Sequence, residues 1–382
     1  MTQQFCYNQF HVMSSTQTIP KVVSANNSLQ FCPLFTLATF RTSPKVSIKN
    51  AMTAKVIILK RKFEGTPTLD NFKIVEEKLR PLQQGEFLVE ARYISVDPYQ
   101  RVYPPKVGQT MLSEQVAKVI ESQNNDFPVG SSVVGEWGWR THTIAKDVAG
   151  EFCLRKPRLL TGYDGLSRSL ALSVLGMPGN AAYFGLLHMG KPMKGNTVVV
   201  SSAAGGVGTI VGQIAKIKGC KAVGITSSVE KGERLVKEVG YDHYVSYNSK
   251  NFEKDLSKAT KDTVHCYFDS VGGEISSSVL TKMKKFGRVV ICGAISTYNS
   301  KIKATASEVQ TTVKVQHLVM EGFKVTRFKD QWDEGIQQNL QWLKEGRLKP
   351  FEHIVDGFSN TPNAFIGMFA GQNFGKTIVR VG

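Results

Sequence analysis

One segment limits the fold of this chain more than any other, because an apolar run leads through a glycine-rich loop into an amphipathic stretch. The run covers residues 197–200, and the loop carries Gly205, Gly206 and Gly208. Glycines at such a junction permit a tight turn, a close approach of the backbone to a pyrophosphate and close packing of a helix on a strand. The first N–H groups of the helix then offer hydrogen bonds and a positive dipole end to phosphate. The context of strand, loop and helix therefore predicts a Rossmann unit that binds a dinucleotide.

From about residue 175 the chain alternates between β-rich and amphipathic segments, which is typical of a doubly wound parallel sheet. After the loop, apolar residues recur at helical spacing from Val207 to Ile217, and Gly219 is placed to end that helix. A second amphipathic segment predicts a helix over 332–346. The β-rich runs of this part cover residues 197–200, 222–226, 264–268 and 288–292.

The part of the chain before residue 175 has a different pattern. Short β-rich runs are separated there by Gly and Pro, and a similar run ends the chain. This pattern predicts a small, mostly-β barrel. The runs cover residues 56–59, 87–91, 115–120 and 376–381.

Residues 1–51 form a segment of their own, with no Asp or Glu, four basic residues and many Ser and Thr. Such a composition occurs in organelle transit peptides. A disordered extension, or a translation start at Met52, is the alternative that we favour. We therefore expect a cytoplasmic protein, with mitochondrial import as the other possibility, and we expect residues 1–51 to be dispensable for activity. No apolar run in the chain approaches the length of about 20 residues that spans a bilayer.

The pattern of cysteines and histidines does not predict metal catalysis. None of the six cysteines stands in a CxxC pair, and none of the seven histidines is followed by Glu. The spacing matches no zinc module, so no metal site is expected. We expect the thiols to be reduced and buried.

The formal net charge of +17 invites a nucleic-acid interpretation. The basic residues are scattered, however, and the chain has no array of aromatic and basic residues of the kind that stacks bases. A solvated basic surface, whose positive potential favours a polyanionic cofactor, is the simpler interpretation. We expect a small-molecule substrate, and neither a nucleic acid nor a membrane as partner.

The end of the second β-rich run indicates which nicotinamide cofactor is used. An NAD enzyme usually places an acid there to bind the ribose 2′-hydroxyl, whereas Thr226 is followed by two serines and then by Lys231. A carboxylate would repel a 2′-phosphate, and an ammonium would bind it. Glu230 is the exception, since its side chain could turn inward, and Lys231 could instead be an exposed helix lysine. We favour phosphate binding, and therefore NADPH.

Several stretches between about residues 55 and 381 closely resemble the prostaglandin reductase/leukotriene 12-hydroxydehydrogenase family. That family is a zinc-independent branch of the medium-chain dehydrogenases/reductases, and these stretches are far more specific than the glycine loop. They are VDPYQR (96–101), GMPG (176–179), AYFGLL (182–187), GQIAK (212–216), MKKFGR (283–288), CGAISTYN (292–299) and GKTIV (375–379).

The resemblance implies an α/β fold in which a Rossmann doubly wound parallel sheet is inserted in a GroES-like, mostly-β barrel domain. It also implies a homodimer. The chemistry implied is the NADPH-dependent reduction of the C=C bond of α,β-unsaturated ketones and aldehydes, including 15-oxo-prostaglandins and 2-alkenals. Oxidation of the 12-hydroxyl of leukotriene B4 is a further implied activity. The expected segments are the extension (1–51), a GroES-like substrate domain (52–173), a Rossmann NADP-binding domain (174–346) and a C-terminal return to the GroES-like domain (347–382).

Carried over by position, the resemblance also implies contacts with NADPH from the glycine loop, the ends of later strands and the C-terminal tail. With Gly208 of the loop, the implied cofactor-binding residues are Ala204, Gly205, Gly206, Val207, Lys231, Tyr247, Ser270, Cys292, Gly293, Ala294, Ile295, Ser296, Thr297, Tyr298, Phe323, Lys324, Val325 and Asn373.

Tyr298 is the candidate catalytic residue. Addition of hydride to the β-carbon of an enone places negative charge on the carbonyl oxygen, which a hydroxyl can stabilise, and a proton must then reach the α-carbon. The ribose hydroxyl of the cofactor and water are the alternative donors, and Tyr298 could instead be a packed turn tyrosine.

Three positions depart from the family pattern. Gln100 replaces a Met of DPYMR, Ala181 replaces a Thr and removes a hydroxyl, and Ser270 replaces an Asn. The first two are expected to affect substrate choice or turnover, and the third to keep a hydrogen bond. Two other functions stay open: a quinone reductase of the same architecture, and an NADPH-binding homologue without catalysis.

Overall fold

Two large β-sheets and one two-stranded sheet organise the computed structural model, which describes residues 52–152, 154–300 and 309–382. In chain order the strands are β1 (Thr53–Leu59), β2 (Phe72–Lys78), β3 (Glu86–Ser95), β4 (Glu114–Ser122), β5 (Ser132–Glu136), β6 (His142–Lys146), β7 (Arg158–Leu159), β8 (Thr197–Val200), β9 (Lys221–Thr226), β10 (His243–Ser246), β11 (Val264–Asp269), β12 (Met283–Ile291), β13 (Val319–Gly322), β14 (Glu352–Asp356) and β15 (Lys376–Arg380). The helices are α1 (Tyr99–Val102), α2 (Met177–Phe184), α3 (Gly208–Ile217), α4 (Val229–Arg234), α5 (Phe252–Thr260), α6 (Gly273–Leu280), α7 (Ile295–Tyr298), α8 (Val309–Gln316), α9 (Trp332–Lys344) and α10 (Thr361–Phe369).

The six-stranded sheet has the order β10-β9-β8-β11-β12-β13, and all its neighbouring strands are parallel. Numbered from β8, this is the order 3-2-1-4-5-6 of a Rossmann sheet. Strand β8 is wholly buried, as expected for an apolar run covered on both faces by helices. In such sheets ligands bind where the winding reverses, here between β8 and β11.

The helix after the glycine loop confirms the prediction from spacing. It covers Gly208–Ile217, and its apolar residues Ile210, Val211 and Ile214 are buried. Gly219 follows with a φ of 74°, a left-handed conformation that glycine adopts at little cost. The second predicted helix is present as Trp332–Lys344. Strands β10 and β13 were missed, because each has only four residues and polar residues interrupt it.

The seven-stranded sheet has the order β14-β15-β3-β4-β5-β7, with β6 also pairing with β3. Strand β15 runs antiparallel to β3, with Ile378 opposite Ser95. The end of the chain therefore returns to a sheet that begins before the Rossmann strands, so the expected insertion of a Rossmann unit into a mostly-β domain is confirmed. The segment boundaries near residues 173 and 346 stay predictions.

A single apolar cluster joins the two large sheets. It includes Val198 and Val200 of β8, Val116 of β4 and Ile378 of β15, all at most 1% exposed. This shared core holds the ends of the Rossmann strands against the mostly-β domain. None of the helices in the described ranges has both the length and the apolar character needed to cross a membrane. The expectations for residues 1–51 lie outside the described residues.

Candidate functional site

A cleft of about 560 Å³ lies where residues of both large sheets meet. One wall comes from the glycine loop after β8 and from the ends of β11 and β12. The opposite wall comes from the segment around α1, and the C-terminal tail closes the side between them. Thirteen of the implied cofactor residues line it: Gly205, Gly206, Val207, Gly208, Ser270, Cys292, Gly293, Ile295, Tyr298, Phe323, Lys324, Val325 and Asn373.

The glycine loop leaves no space for side chains. A Cβ atom on Gly208 would lie 2.3 Å from the carbonyl oxygen of Ser202 and 2.6 Å from Cα of Ala203. A Cβ on Gly206 would lie 3.0 Å from Cδ of Lys376. The bare backbone thus leads directly into the N-terminus of α3, whose first turn has no acidic residue. This arrangement fits the pyrophosphate of a dinucleotide, which needs close backbone approach and free N–H groups.

The C-terminal tail packs on this loop. The N–H of Gly375 donates to the carbonyl oxygen of Ala204 at 2.8 Å. Ala204 is 5% exposed and lies beneath the loop instead of lining the cleft. Asn373 lines the cleft, and its side chain donates to the carbonyl oxygen of Gly375 at 2.9 Å. The tail therefore holds the loop from one side.

Lys231 and Tyr247 follow the carboxyl ends of the neighbouring strands β9 and β10, and neither lines the cleft. Nζ of Lys231 donates to the carbonyl oxygen of Gly371 at 2.5 Å. The backbone N–H of Tyr247 donates to Thr226 at 3.0 Å. Burial lowers the pKa of Lys231, and the charge of Glu230 opposes that shift. Glu230 itself is exposed. A half-buried ammonium without a carboxylate in contact fits a phosphate, because an anion would offset its desolvation.

Tyr298 lines the cleft and has one hydrogen bond to its own loop. Its hydroxyl accepts from the backbone N–H of Ala294 at 3.2 Å. The phenolic proton is therefore not used in that bond and remains available to donate. Burial raises the pKa of Tyr298, the Ala294 hydrogen bond opposes this, and the nearby Cys292 and Tyr103 add to it. The side chain is thus a neutral phenol at physiological pH.

Other residues of the same loop do not face the cleft. Ala294, Ser296 and Thr297 are absent from its lining. The Ser296 hydroxyl donates to Val271 at 2.6 Å, and the Thr297 hydroxyl donates to Ala294 at 2.8 Å. Ser296 thus ties the loop to the segment after β11, and Thr297 bonds within the loop, so any contact they make with a ligand would come from the backbone.

An aromatic wall, made of Tyr99, Tyr103 and Phe152, lines the cleft opposite the glycine loop. Tyr99 and Phe152 are stacked, with ring centroids 4.2 Å apart and planes 11° from parallel. Nζ of Lys324 lies 4.3 Å from the ring centroid of Tyr103, a cation–π contact. Sequence reasoning missed Tyr103 and Phe152, because neither stands in a motif and only folding brings them together.

The three departures from the family pattern have different surroundings. Gln100 is fully buried and does not line the cleft. Its Nε2 donates to backbone carbonyls of Ser95 and Leu112, so the side chain points away from the cleft, and its expected effect on substrate choice or turnover stays a prediction. The amide of Gln100 can be buried there because backbone groups satisfy its hydrogen-bonding atoms. Ala181 does line the cleft. Ser270 lowers the pKa of the nearby Cys292 thiol, which burial raises, and the expectation that Ser270 keeps a hydrogen bond stays a prediction.

Sequence reasoning also gave no role to Asp97 and Lys376, which both line the cleft. They stand in the VDPYQR and GKTIV stretches. A charged residue at the start of an otherwise apolar terminal run was the available signal for Lys376, since Lys is almost never fully buried unless it is paired.

The cysteines differ in exposure. Cys220 and Cys266 are buried free thiols, as expected, whereas the free thiol Cys292 is only partly buried because it lies at the cleft. Desolvation nevertheless raises the pKa of Cys292 to about 12. Cys6, Cys32 and Cys153 lie outside the described residues. In the described ranges, no group of three or more His, Cys, Asp or Glu side chains could hold a metal ion.

Comparison with protein families gives two matches. A model described as the N-terminal domain of oxidoreductase matches residues 55–151. A model described as zinc-binding dehydrogenase matches residues 206–341. The first covers most of β1 and strands β2 to β6, and the second begins within the glycine loop.

Individual relatives cover nearly all of the described chain. Prostaglandin reductase 1 of Sus scrofa is 45% identical over 332 residues, which are 86% of this chain and 99% of the relative. The NADP⁺-dependent 2-alkenal reductase of Nicotiana tabacum is 34% identical over 345 residues, 86% of this chain and 97% of the relative. The solved structure of CurA from Vibrio vulnificus in complex with NADPH superposes with a TM-score of 0.80 at 32% identity, covering 86% of this chain and 99% of that one.

Proposed function

This chain belongs to the prostaglandin reductase family, a zinc-independent branch of the medium-chain dehydrogenases/reductases, and from that premise we propose that it reduces the C=C bond of α,β-unsaturated ketones and aldehydes with NADPH. The observation that carries the proposal is that the glycine loop and the aromatic wall line the same cleft. One side of it fits a dinucleotide and the other fits an apolar, conjugated substrate.

The cofactor is NADPH. The backbone of Gly205, Gly206 and Gly208 would hold its pyrophosphate, and Lys231 with Tyr247 would hold its 2′-phosphate. Support for the phosphate role comes from the half-buried ammonium of Lys231, which contacts the backbone carbonyl of Gly371 and forms no ion pair with a carboxylate of the described residues. NADPH supplies a hydride to the β-carbon of the substrate when it is bound.

Tyr298 stabilises the oxygen of the resulting enolate in this proposal. Its hydroxyl receives the Ala294 N–H, which polarises the phenol and directs its own proton away from the loop. The raised pKa keeps that proton in place, so the residue donates a hydrogen bond without ionising. Such a donor favours the charged oxygen over the neutral carbonyl, which is the condition for lowering a barrier. Water or a ribose hydroxyl then completes the protonation of the α-carbon.

The substrate would lie against the aromatic wall. Tyr99 and Phe152 form a stacked surface, and Leu154 and Val102 extend it toward solvent, where they are 51% and 40% exposed. Such a surface accepts flat, apolar molecules. Alkenals, aryl enones and 15-oxo-prostaglandins share that character, and oxidation of the leukotriene hydroxyl would use the same surface.

The test is the oxidation of NADPH in the presence of alkenals, enones, 15-oxo-prostaglandins and quinones, with identification of the products. We expect turnover of the first three classes, a saturated carbonyl as product, and no effect of a chelator. Turnover of quinones alone would assign a quinone reductase instead. Cofactor binding without turnover of any class would assign a non-catalytic homologue, and an allylic alcohol as product would overturn the reaction class.

We also propose that two copies of the chain associate through the Rossmann sheet. In the part of the chain that the structure describes, β13 pairs only with β12, so its other edge offers free backbone groups. Val315 and Val319 beside that edge are 55% and 42% exposed. Light scattering should give the mass of a dimer, and Val319→Lys should give a monomer.

Fluorescent tagging of the full chain should show a cytoplasmic protein, whereas mitochondrial fluorescence would assign residues 1–51 to import.

A further inference from the structure

Lys376 and Asp97 form an ion pair inside the protein, beside the cleft. Nζ of Lys376 lies 3.1 Å from Oδ1 of Asp97, and the two side chains are 4% and 9% exposed. The ammonium also donates to the carbonyl oxygens of Val96 at 2.7 Å and Thr377 at 2.8 Å. All three N–H donors of Lys376 are therefore used within the protein. The residue has none left for a ligand, although it lines the cleft.

Burying such a pair is weak evidence that it stabilises the fold. Removing two charges from water has a large desolvation cost, and apolar residues of similar volume are often as stable or more so. Burial lowers the pKa of Lys376, while the charge and the hydrogen bond of Asp97 oppose that shift. A role other than stability therefore merits consideration.

The two ends of Lys376 touch opposite walls of the cleft. Its stem packs against the glycine loop, where a Cβ on Gly206 would come within 3.1 Å of Cα and 3.2 Å of Cβ of Lys376. Its ammonium holds Val96 and Asp97, the residues that lead into α1 and hence into the aromatic wall. One side chain thus spans the loop that fits the pyrophosphate and the segment that carries the substrate surface.

Asp97 is fixed on its own side as well. Its second carboxylate oxygen accepts from the Ser95 hydroxyl, and its backbone N–H donates to Oε1 of Gln100 at 3.0 Å. Gln100 in turn donates to the carbonyl oxygen of Leu112 at 2.7 Å. The carboxylate is therefore part of a satisfied buried network, which holds a single geometry.

We propose that the Lys376–Asp97 pair is a positioning device that sets the separation of the cofactor loop and the substrate wall, and thereby the rate of hydride transfer. This inference rests on the proposed reductase function. Misplacement of reacting groups by about 1 Å can lower a rate by about 10²-fold even when the altered residue touches neither reactant. The pair acts through the walls that it joins.

The first test uses Lys376→Met, which keeps an unbranched stem and removes the ammonium. We expect kcat to fall by about 10- to 100-fold, and the dissociation constant for NADPH to change by less than about threefold. The control is Glu86→Gln. Glu86 is also a buried carboxylate, 1% exposed and 2.7 Å from Arg80, but it does not line the cleft. The Glu86→Gln substitution should lower the unfolding temperature and leave kcat unchanged. An unchanged kcat in Lys376→Met, or an NADPH affinity loss as large as the kcat loss, overturns the proposal.

Lys376→Met leaves Asp97 as an unpaired buried charge, so a second variant covers a failure to fold. The double variant Asp97→Asn/Lys376→Met leaves no charge at either of these two buried positions. We expect it to fold and to retain the low kcat, because the connection between the walls is still missing. A double variant with wild-type turnover would show that the pair serves the fold alone, and would overturn the proposal.

Hydrogen–deuterium exchange of the ligand-free chain gives a readout that needs no turnover. In the double variant we expect faster exchange in two segments, residues 202–208 and residues 96–101. In Glu86→Gln we expect no change of exchange in either segment. Faster exchange in only one of the two segments, or in none, contradicts the proposal. This measurement separates the positioning role from the reductase function. A wild-type chain that reduces no enone would refute the function, whereas the exchange result would still decide the positioning role.

Discussion

The two ends of the cleft are built in opposite ways. The end that we propose for the pyrophosphate, here called the phosphate end, is made of consecutive backbone, residues 201–208, and its backbone is accessible because Gly206 and Gly208 carry no side chain. The reacting end is made of side chains from distant segments, among them Tyr103, Phe152 and Tyr298. Adding an atom should therefore damage the phosphate end, whereas removing one should damage the reacting end.

This difference also explains which end tolerates sequence change. A backbone site depends on space and on φ/ψ freedom, so few residues can occupy it. A side-chain wall depends on shape and polarity, and several residues of one class can supply those. Ala181, a departure from the family pattern, lines the cleft, whereas the three glycines of the loop are present. Four experiments test this contrast.

Removal of one oxygen from the reacting end should have the largest effect. Tyr298→Phe should lower kcat by about 10²–10³-fold, equivalent to about 2.7–4 kcal/mol, if its hydroxyl is a main stabiliser of the enolate. NADPH affinity should change little. Because the pKa of Tyr298 is raised and the donating form is the protonated one, kcat in the wild type should not fall on the alkaline side until above pH about 10.

Tyr183→Phe is the matched control for that experiment. Its hydroxyl donates to Glu334 at 2.9 Å and does not line the cleft. Turnover should survive this change. Unaltered turnover in Tyr298→Phe would remove Tyr298 from the mechanism and leave the ribose hydroxyl or water as donor.

Addition of one carbon atom to the phosphate end should have the next largest effect. Gly208→Ala places a Cβ 2.3 Å from the carbonyl oxygen of Ser202, a backbone atom that cannot move freely. Overpacking of this kind costs about 1–3 kcal/mol. If the loop moves to relieve the contact, the dissociation constant for NADPH should rise by about 5- to 150-fold. Gly322→Ala is the control, because its nearest atoms would lie 3.9 Å away. Fluorescence titration measures both. Equal affinities in the two variants would refute the backbone account of this end.

Lys231, which we propose to hold the 2′-phosphate with Tyr247 outside the cleft lining, should give a smaller, selective effect. Lys231→Ala should raise KM for NADPH by about 10- to 100-fold, since a charge-assisted contact contributes about 1.5–3 kcal/mol. KM for NADH should barely change, because NADH has no 2′-phosphate. Lys237→Ala, at a lysine 74% exposed, should alter neither. A similar loss for both cofactors in Lys231→Ala would contradict the assignment.

The smallest effect is expected from residues 1–51, which belong to neither end. A chain that begins at Met52 should fold, and its kcat and both KM values should match those of the full chain within about twofold. The reason is that the resemblance to the family begins near residue 55. An insoluble or inactive product would make the segment part of the fold.

The sequence predicted the six-stranded sheet better than the seven-stranded one. Buried parallel strands such as β8 are continuous apolar runs, and α3 has apolar residues at helical spacing, so both have local signals. The short strands β10 and β13 lack them and were missed. The return of β15 to β3 was expected from resemblance only, since pairing of segments so far apart leaves no periodic trace in either.

The sequence by itself determined the phosphate end, because that site consists of one short segment whose geometry follows from glycine and a helix N-terminus. The tertiary structure decided the reacting end. Folding put Gln100 into the interior and not the cleft, turned the Ser296 and Thr297 side chains away from the cleft, and placed Lys376 between the two walls. The physical reason is that the direction of a side chain depends on the elements packed around it, and those elements come from parts of the chain that local patterns do not connect.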